Sequence, residues 1–290
     1  MRFWFMNASG WAKTPEHVEK LVQVPTLTHI VMGSFTVEPR AGNTGGTNFH
    51  VTSDGTAVNS LGLPNGGLPY LNKRGAEMVR AVRMSGRTPV ISVAGFAPSE
   101  FGTLADAVNE LGAVIELNVG CPNVHDGGKQ KEIISYNWAD LQRTLEIVLL
   151  ERSHKMQVWL KLSPYSNPLD HERAVRLINR FAGKVAVVGC NTFPNVSIYH
   201  EDGRPYLNVA ENYAGMSGTA IKWVNLSQCR RFVERVHESI PVIGVGGIGT
   251  AQDLLDYARV GCKGAQVGAA FFKGENFRVF EEVAEALVEA

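Results

Sequence analysis

The sequence lacks the patterns that mark metal, disulfide-rich or membrane proteins. Its four cysteines, Cys121, Cys190, Cys229 and Cys262, form no CxxC pair, so neither a disulfide framework nor a zinc or iron–sulfur site is indicated. The eight histidines show no ligand spacing such as HxxxH, and no metal is expected. No apolar run approaches the roughly 20 residues of a membrane helix, and the first residues lack a signal peptide's apolar length. We therefore expect a cytoplasmic protein without a membrane partner.

The chain also lacks an excess of either charge. It has 28 Lys and Arg residues and 28 Asp and Glu residues, so no basic field is available to attract nucleic acid, and no nucleic-acid partner is expected. Hydrophobic residues make up 44% and charged residues 19% of the 290 residues, as in an ordinary globular protein with a large core. No shift in composition marks a linker, so residues 1–290 are predicted to form a single domain.

Strand and helix signals alternate along the whole chain. Strands are predicted at residues 3–6, 27–32, 89–93, 114–119, 157–162, 185–190, 241–245 and 264–267. Helices are predicted at residues 15–23, 73–85, 98–111, 138–152, 169–181, 220–239, 251–260 and 276–289. Eight such units predict an α/β protein with a (β/α)8 TIM barrel. Two long insertions, residues 34–70 and 192–218, should lie at the C-terminal face of the strands, and residues 124–135 form a candidate mobile lid.

Polar residues stand where the predicted strands end, and these ends meet at one face of such a barrel. In ELNVGCPN, residues 116–123, the amides of Asn118 and Asn123 flank the thiol of Cys121. Two amides can hold a planar, amide-like substrate while a thiolate moves a proton. An ordinary strand running into a turn explains the same residues, because Asn and Pro are common turn residues.

Glycines at the ends of the last two strands indicate a phosphate site. Gly246, Gly247 and Gly268 leave backbone N–H groups unshielded, and barrels commonly bind phosphate at this corner. Tight turn packing is the alternative. No Walker motif or Rossmann unit is present, so a phosphate-bearing cofactor inside the barrel is favoured over a nucleoside triphosphate. Lys161, at the end of an apolar strand, is either a cation beside a flavin or a lysine at the barrel rim.

Several motifs occur in the order known from one family. These are NASG (7–10), NSLGLPN (59–65), ELNVGCPN, KLSP (161–164), CNT (190–192), GMSGTAIK (215–222) and GVGGI (244–248). The chain thereby resembles the dihydroorotate dehydrogenases, FMN-dependent barrels that oxidise dihydroorotate to orotate in pyrimidine biosynthesis. Cys121 matches the soluble class, and NSLGLPN looks most like its homodimeric, fumarate-using subclass. The NAD-linked subclass depends on a separate iron–sulfur subunit, which one chain does not exclude.

The resemblance implies a role for each matching residue. Cys121 would act as the base that takes a proton from C5 of dihydroorotate, while hydride passes from C6 to flavin N5. The substrate would contact Asn59, Leu61, Gly62, Leu63, Asn118, Asn123, Asn191 and Thr192. FMN would contact Ser9, Ser34, Asn118, Lys161, Cys190, Gly218, Gly246, Gly247, Gly268 and Ala269. Fumarate would accept the electrons, and a second copy of the chain would complete a homodimer.

One departure from the family affects the expected substrate. The second strand of the family ends in a lysine that touches flavin and substrate, and Gly33 stands in its place here. Arg40, Lys129 or Lys131 could supply the missing cation, or the pocket could take another reduced pyrimidine or an enoate. A non-catalytic barrel that binds a phosphate ligand is a third hypothesis. The chain also starts near its first strand, without the short leading hairpin expected in the family.

Overall fold

The computed structural model describes residues 3–126, 129–152, 156–208 and 213–287. The strands in this part of the chain are β1 (Trp4–Asn7), β2 (His29–Phe35), β3 (Phe49–Val51), β4 (Thr56–Asn59), β5 (Thr88–Val93), β6 (Val114–Asn118), β7 (His125–Asp126), β8 (Lys129–Gln130), β9 (Val158–Lys161), β10 (Val185–Val188), β11 (Phe193–Val196), β12 (Ala214–Gly218), β13 (Val242–Val245) and β14 (Gly264–Val267). Its α-helices are α1 (Pro15–Leu21), α2 (Gly67–Met84), α3 (Pro98–Leu111), α4 (Trp138–Leu149), α5 (Pro168–Asn179), α6 (Lys222–Arg235), α7 (Ala251–Arg259), α8 (Ala269–Phe272) and α9 (Arg278–Ala284).

Eight of these strands form one closed parallel barrel. Around the barrel they follow the order β1, β2, β5, β6, β9, β10, β13 and β14, and β14 returns to pair with β1. Helices lie between successive barrel strands along the chain. This arrangement confirms the predicted (β/α)8 barrel, in which parallel strands are joined by helical crossovers.

Local sequence signals account for several helix ends. Thr14 caps α1, where its side chain accepts the His17 backbone N–H and Pro15 takes the first position, a place where a missing N–H costs nothing. Thr250 caps α7 in a reciprocal capping box with Asp253. Helix α3 ends at Gly112, which has a φ of +69°, a left-handed conformation that favours glycine.

The two sides of each barrel strand face different cores. Phe5 lies among the residues packed between the strands and the surrounding helices, whereas its neighbour Met6 points into the barrel. At the N-terminal end, which we call the barrel floor, the rings of Trp4, His29 and Trp159 fill the interior. The two indoles stack with centroids 5.8 Å apart, and His29 lies 5.5 Å from one and 5.6 Å from the other.

The two predicted insertions come together as one sheet. Strands β3 and β4 come from the first insertion, β11 and β12 from the second, and the antiparallel order is β11-β12-β4-β3. Gly215 pairs with Asn59 in this sheet. Sequence reasoning did not predict this pairing, because the partners are far apart in the chain and no local signal links them. The sheet covers the C-terminal end of the barrel.

Three predicted segments differ from the structure or extend past its described part. Helix α2 begins at Gly67 rather than at residue 73, and the Asn65 side chain accepts the Gly67 N–H in the turn that leads into the helix. Residues 127 and 128 of the predicted lid lie outside the described residues, and β7 and β8 flank them. The predicted last helix also runs past residue 287, where the description stops. No helix in the described ranges has the length and apolar character needed to cross a membrane.

Candidate active site

A cavity of about 560 Å³ opens at the C-terminal ends of the barrel strands, beneath the four-stranded sheet. Its volume lies within the usual range of small-molecule sites. Every residue predicted to contact substrate or FMN lines it, as does the predicted base, namely Ser9, Ser34, Asn59, Leu61, Gly62, Leu63, Asn118, Cys121, Asn123, Lys161, Cys190, Asn191, Thr192, Gly218, Gly246, Gly247, Gly268 and Ala269. The structure thus gathers these residues in one place, while their individual roles remain predictions.

Asn118 lies at the centre of a chain of side-chain hydrogen bonds. Its Nδ2 donates to the hydroxyl of Ser34 at 3.0 Å, and its Oδ1 accepts from Nδ2 of Asn191 at 2.7 Å. The Ser34 hydroxyl also lies 2.8 Å from the hydroxyl of Ser92. These bonds cross from β2 to β6 and to the loop after β10, so they hold the amides in one orientation at the cavity wall.

A second amide pair joins the barrel to the sheet above it. Nδ2 of Asn123 donates to Oδ1 of Asn59 at 2.6 Å, and the backbone oxygen of Asn123 accepts from Asn43 at 2.7 Å. Two buried acceptors, Oδ1 of Asn123 and Oγ1 of Thr192, make no hydrogen bond within the described structure. A Cβ on Gly215 would collide with both side chains. Buried polar atoms normally have partners, so these two oxygens fit a ligand that brings donors into the cavity.

Cys121 presents a thiol to the cavity. Burial raises the pKa of this thiol, and the backbone N–H of Asn123 and nearby positive charges act in the opposite direction. The charges belong to Lys13, Arg40 and Lys161. A thiol in this setting can remove a proton once it is ionised, and the surrounding cations stabilise the thiolate that does so.

Lys161 is held by a polar network at the C-terminal end of the barrel, which we call the barrel mouth. Its ammonium donates to Oε1 of Gln266 at 3.0 Å and to the hydroxyl of Ser9 at 3.2 Å. Nε2 of Gln266 donates in turn to Oε2 of Glu116 at 2.6 Å, and Oε1 of Glu116 lies 3.7 Å from the ammonium. Glu116 is fully buried, so its charge and that of Lys161 offset each other, as buried charges require. Lys161 is therefore a fixed cation and not a lysine that reaches out to solvent.

Two structural constraints explain why glycines occupy these positions after the last two barrel strands. A Cβ on Gly247 would lie 2.5 Å from Cβ of Lys222, and one on Gly246 would meet the side chain of Asn225. Both glycines also have positive φ angles, +109° for Gly246 and +69° for Gly247. Tight packing against α6 thus accounts for part of the pattern. The same backbone lines the cavity beside Ala269, at the start of α8, whose first N–H groups have no intrahelical partner. This corner has the donors that a phosphate requires.

The cations proposed to replace the family lysine lie in different places. Nε of Arg40 donates to the backbone oxygen of Gly62 at 3.1 Å, and its guanidinium lies 5.1 Å from the ring centre of Phe96. The ammonium of Lys131 lies 4.4 Å from the same ring centre. The side chain of Lys129 is outside the described part of the structure. Of the two whose side chains are described, neither Arg40 nor Lys131 lines the main cavity.

Sequence reasoning missed Lys13, which does line the cavity. Its ammonium donates to the backbone oxygen of Pro64 at 2.7 Å. Burial lowers its pKa to about 8, and the nearby Cys121 acts in the opposite direction. A signal for this residue was available, because Lys13 follows the end of β1 within a few residues and therefore belongs to the loops of the C-terminal face.

Barrels with a polar cavity at this face are typically enzymes, and comparisons with known proteins identify the family. A family model described as "Dihydroorotate dehydrogenase" matches residues 3–290. The chain belongs to the dihydroorotate dehydrogenase family. FMN is the cofactor of this family, as expected from the sequence. The cavity fits it: Lys161 offers a fixed cation, the glycine corner offers phosphate donors, and Asn118 and Ser34 offer polar contacts.

Relatives of two types are similar to the chain at nearly the same level. The catalytic subunit of dihydroorotate dehydrogenase B (NAD(+)) from Trichlorobacter lovleyi is 31% identical over 97% of this chain and 87% of the relative. The probable dihydroorotate dehydrogenase A (fumarate) of Streptococcus pneumoniae is 28% identical over the same shares. A crystal structure of DHODH from Eimeria tenella in complex with ferulenol has a TM-score of 0.79 at 16% identity, and the match covers 98% of this chain and 80% of that one. That structure supports the fold.

Proposed function

We propose that this protein oxidises dihydroorotate to orotate, with FMN bound in the cavity and Cys121 as the base. The observation that carries this proposal is the joint position of three kinds of group. The Cys121 thiol, the amides of Asn118 and Asn123 and the fixed ammonium of Lys161 all line one cavity in a member of this family.

The described residues supply binding and proton transfer. Asn118, Asn123 and Asn191 would pair with the amide groups of the pyrimidine ring, and Thr192 would present its unpartnered hydroxyl oxygen to a ring N–H. The Cys121 thiolate would take the proton from C5 of the substrate. FMN, when bound, supplies the acceptor for the hydride that leaves C6. Lys161 would place its positive charge beside the flavin, where reduction adds negative charge.

We propose fumarate as the electron acceptor and a cytoplasmic homodimer as the working form. The motif NSLGLPN, residues 59–65, supports this subclass, and Leu61, Gly62 and Leu63 from it line the cavity. The similarity to NAD-linked catalytic subunits makes electron transfer to a separate subunit the alternative.

A second candidate function is the oxidation of a different reduced pyrimidine or of an enoate by the same flavin site. Gly33 favours it, because β2 carries no cation there. A lysine at this position is also incompatible with the local backbone, since Gly33 has a φ of +103° and a Cβ would collide with the backbone oxygen of Ser92.

Anaerobic mixing of the FMN-loaded protein with dihydroorotate tests the proposal. Rapid bleaching of the flavin absorbance is expected in the wild type, and Cys121→Ala should lose it while still binding FMN. A loaded protein that stays oxidised would reject dihydroorotate as the substrate and favour the second candidate. Adding fumarate or NAD+ to the reduced protein then separates the acceptors, and we expect reoxidation by fumarate alone.

A further inference from the structure

The loop after β1 is joined to the C-terminal part of β2 by two backbone hydrogen bonds. The backbone N–H of Gly10 donates to the oxygen of Gly33 at 2.6 Å, and the N–H of Gly33 donates to the oxygen of Ala12 at 2.7 Å. Lys13 follows immediately, and its own N–H donates to Nδ1 of His17 at 3.3 Å. The backbone that carries Lys13 is thus bonded to the one position on β2 that has no side chain.

The Lys13 ammonium lies beside the loop that is expected to hold the substrate. It donates to the backbone oxygen of Pro64, next to Leu63, which lines the same cavity. It is also close enough to Cys121 for the two charges to interact. Lys13 therefore joins the first loop to the substrate loop, and its charge acts on the thiol.

No carboxylate neutralises this cation within the described residues. None lies within 4.0 Å of the Lys13 ammonium, in contrast to Lys161, which has Glu116. Of the other positive groups near Cys121, Lys161 is paired with Glu116, and Arg40 bonds to Gly62, lies over Phe96 and does not line the cavity. A partly buried ammonium that bonds only a neutral carbonyl is costly, and an anionic ligand would offset that cost.

We infer that Lys13 binds the carboxylate of the pyrimidine substrate, and that it makes the site selective for carboxylated over uncharged pyrimidines. The inference rests on the proposed function. It gives the loop after β1 a specificity-determining role, in which Lys13 supplies the charge that Gly33 does not. A charge-assisted hydrogen bond of this kind is worth about 1.5–3 kcal/mol, so its loss corresponds to about 10- to 100-fold in affinity.

Binding to the oxidised, FMN-loaded protein tests the inference without turnover. Orotate and uracil, which lacks the carboxylate, are titrated while the flavin spectrum reports occupancy. Lys13→Met should weaken orotate binding about 10- to 100-fold and leave uracil binding unchanged, and Lys13→Arg should restore most of the loss. Lys20→Met is the matched control, because Lys20 lies on the adjacent helix α1 and forms an exposed ion pair with Glu275.

The outcomes separate this inference from the proposed function. Equal orotate affinity in the wild type and Lys13→Met would overturn the role of Lys13 while leaving the proposed function intact. A parallel loss for orotate and uracil would also overturn it, because it would show a general change of the pocket. A wild type that binds neither compound would overturn both. Retained FMN content in each variant shows that the fold is preserved.

Discussion

The floor and the mouth of the barrel are built from the same strands and differ in what those strands present. At the floor, the rings of Trp4, His29 and Trp159 pack against one another with centroids less than 6 Å apart. At the mouth, the C-terminal ends of β6 and β9 bring Asn118 and Lys161 into two hydrogen-bonded networks around a cavity. The floor is closed by apolar contact, whereas the mouth is left open and polar.

The contrast shows how the barrel separates stability from chemistry. Aromatic packing contributes stability in proportion to the area removed from water, and it needs no precise partner. The mouth contains features that cost stability, including a fully buried carboxylate at Glu116 and two unpartnered acceptors at Asn123 and Thr192. Such features are expected where a ligand completes the site. Three predictions test how far the two ends are independent.

The largest effect is expected from breaking the floor. Trp159→Ala removes a fully buried side chain that stacks on Trp4 and donates from Nε1 to Gln157 at 2.9 Å. We expect a loss of about 3–5 kcal/mol in the free energy of unfolding, measured by urea denaturation. Cys121→Ala at the mouth should stay within about 1 kcal/mol of the wild type. If the two variants lost similar stability, the division between floor and mouth would be wrong. If the alanine variant does not fold, Trp159→Phe removes less of the side chain and should show a smaller loss of stability.

The floor should also make the protein sensitive to acid. Burial lowers the pKa of His29 to about 4, whereas an exposed histidine titrates near 6.5. The stability that the neutral, buried His29 gives the folded state is fully present above pH 6.5. It is lost as the pH falls towards 4, because the unfolded chain binds a proton at this histidine more readily than the folded chain does. The loss amounts to about 3 kcal/mol over this range. Denaturation at several pH values should show that His29→Phe is less acid-sensitive than the wild type, and His237→Gln is the exposed control. Equal acid dependence in His29→Phe and the wild type would contradict this account.

The mouth should respond to pH on the alkaline side, with a smaller effect. Since burial raises the pKa of Cys121, the rate of flavin reduction should still increase above pH 9, as more of the base is ionised. Lys13, which lines the same cavity as Cys121 and whose pKa burial lowers to about 8, should lose its charge over part of the same range. Orotate affinity should then fall by up to about tenfold per pH unit above 8. Stopped-flow rates and flavin titrations measure the two trends separately. A rate of flavin reduction that does not change with pH would remove Cys121 from the role of base. For the second trend, Lys13→Met should abolish the decline in orotate affinity.

Much of the mouth could be predicted because strand ends in a parallel barrel converge. Once the alternation of strands and helices was recognised, Asn118, Lys161 and Gly246 had to lie on one face, and the cavity contains them all. Lys13 was missed although its place in the loop after β1 puts it at the same face, because nothing in its local sequence separates it from other loop lysines. The approach also failed for the pairing of Asn59 with Gly215, because strands in two separate insertions carry no sign of their partner.

By itself the sequence determined the class of fold, the family resemblance and many of the residues around the cavity. The signals for strands, helices and turns are local, and they recur in each of the eight strand–helix units, so they can be recognised along the chain. Only the tertiary structure decided which cation faces the substrate loop and which acceptors lack partners. It also decided that Gly33 has no room for a side chain. Gly33 lies on β2 with a positive φ angle, and the backbone oxygen that a Cβ would strike belongs to Ser92 on the neighbouring strand β5. These properties depend on distances between segments that are remote in sequence, and such distances exist only in the folded chain.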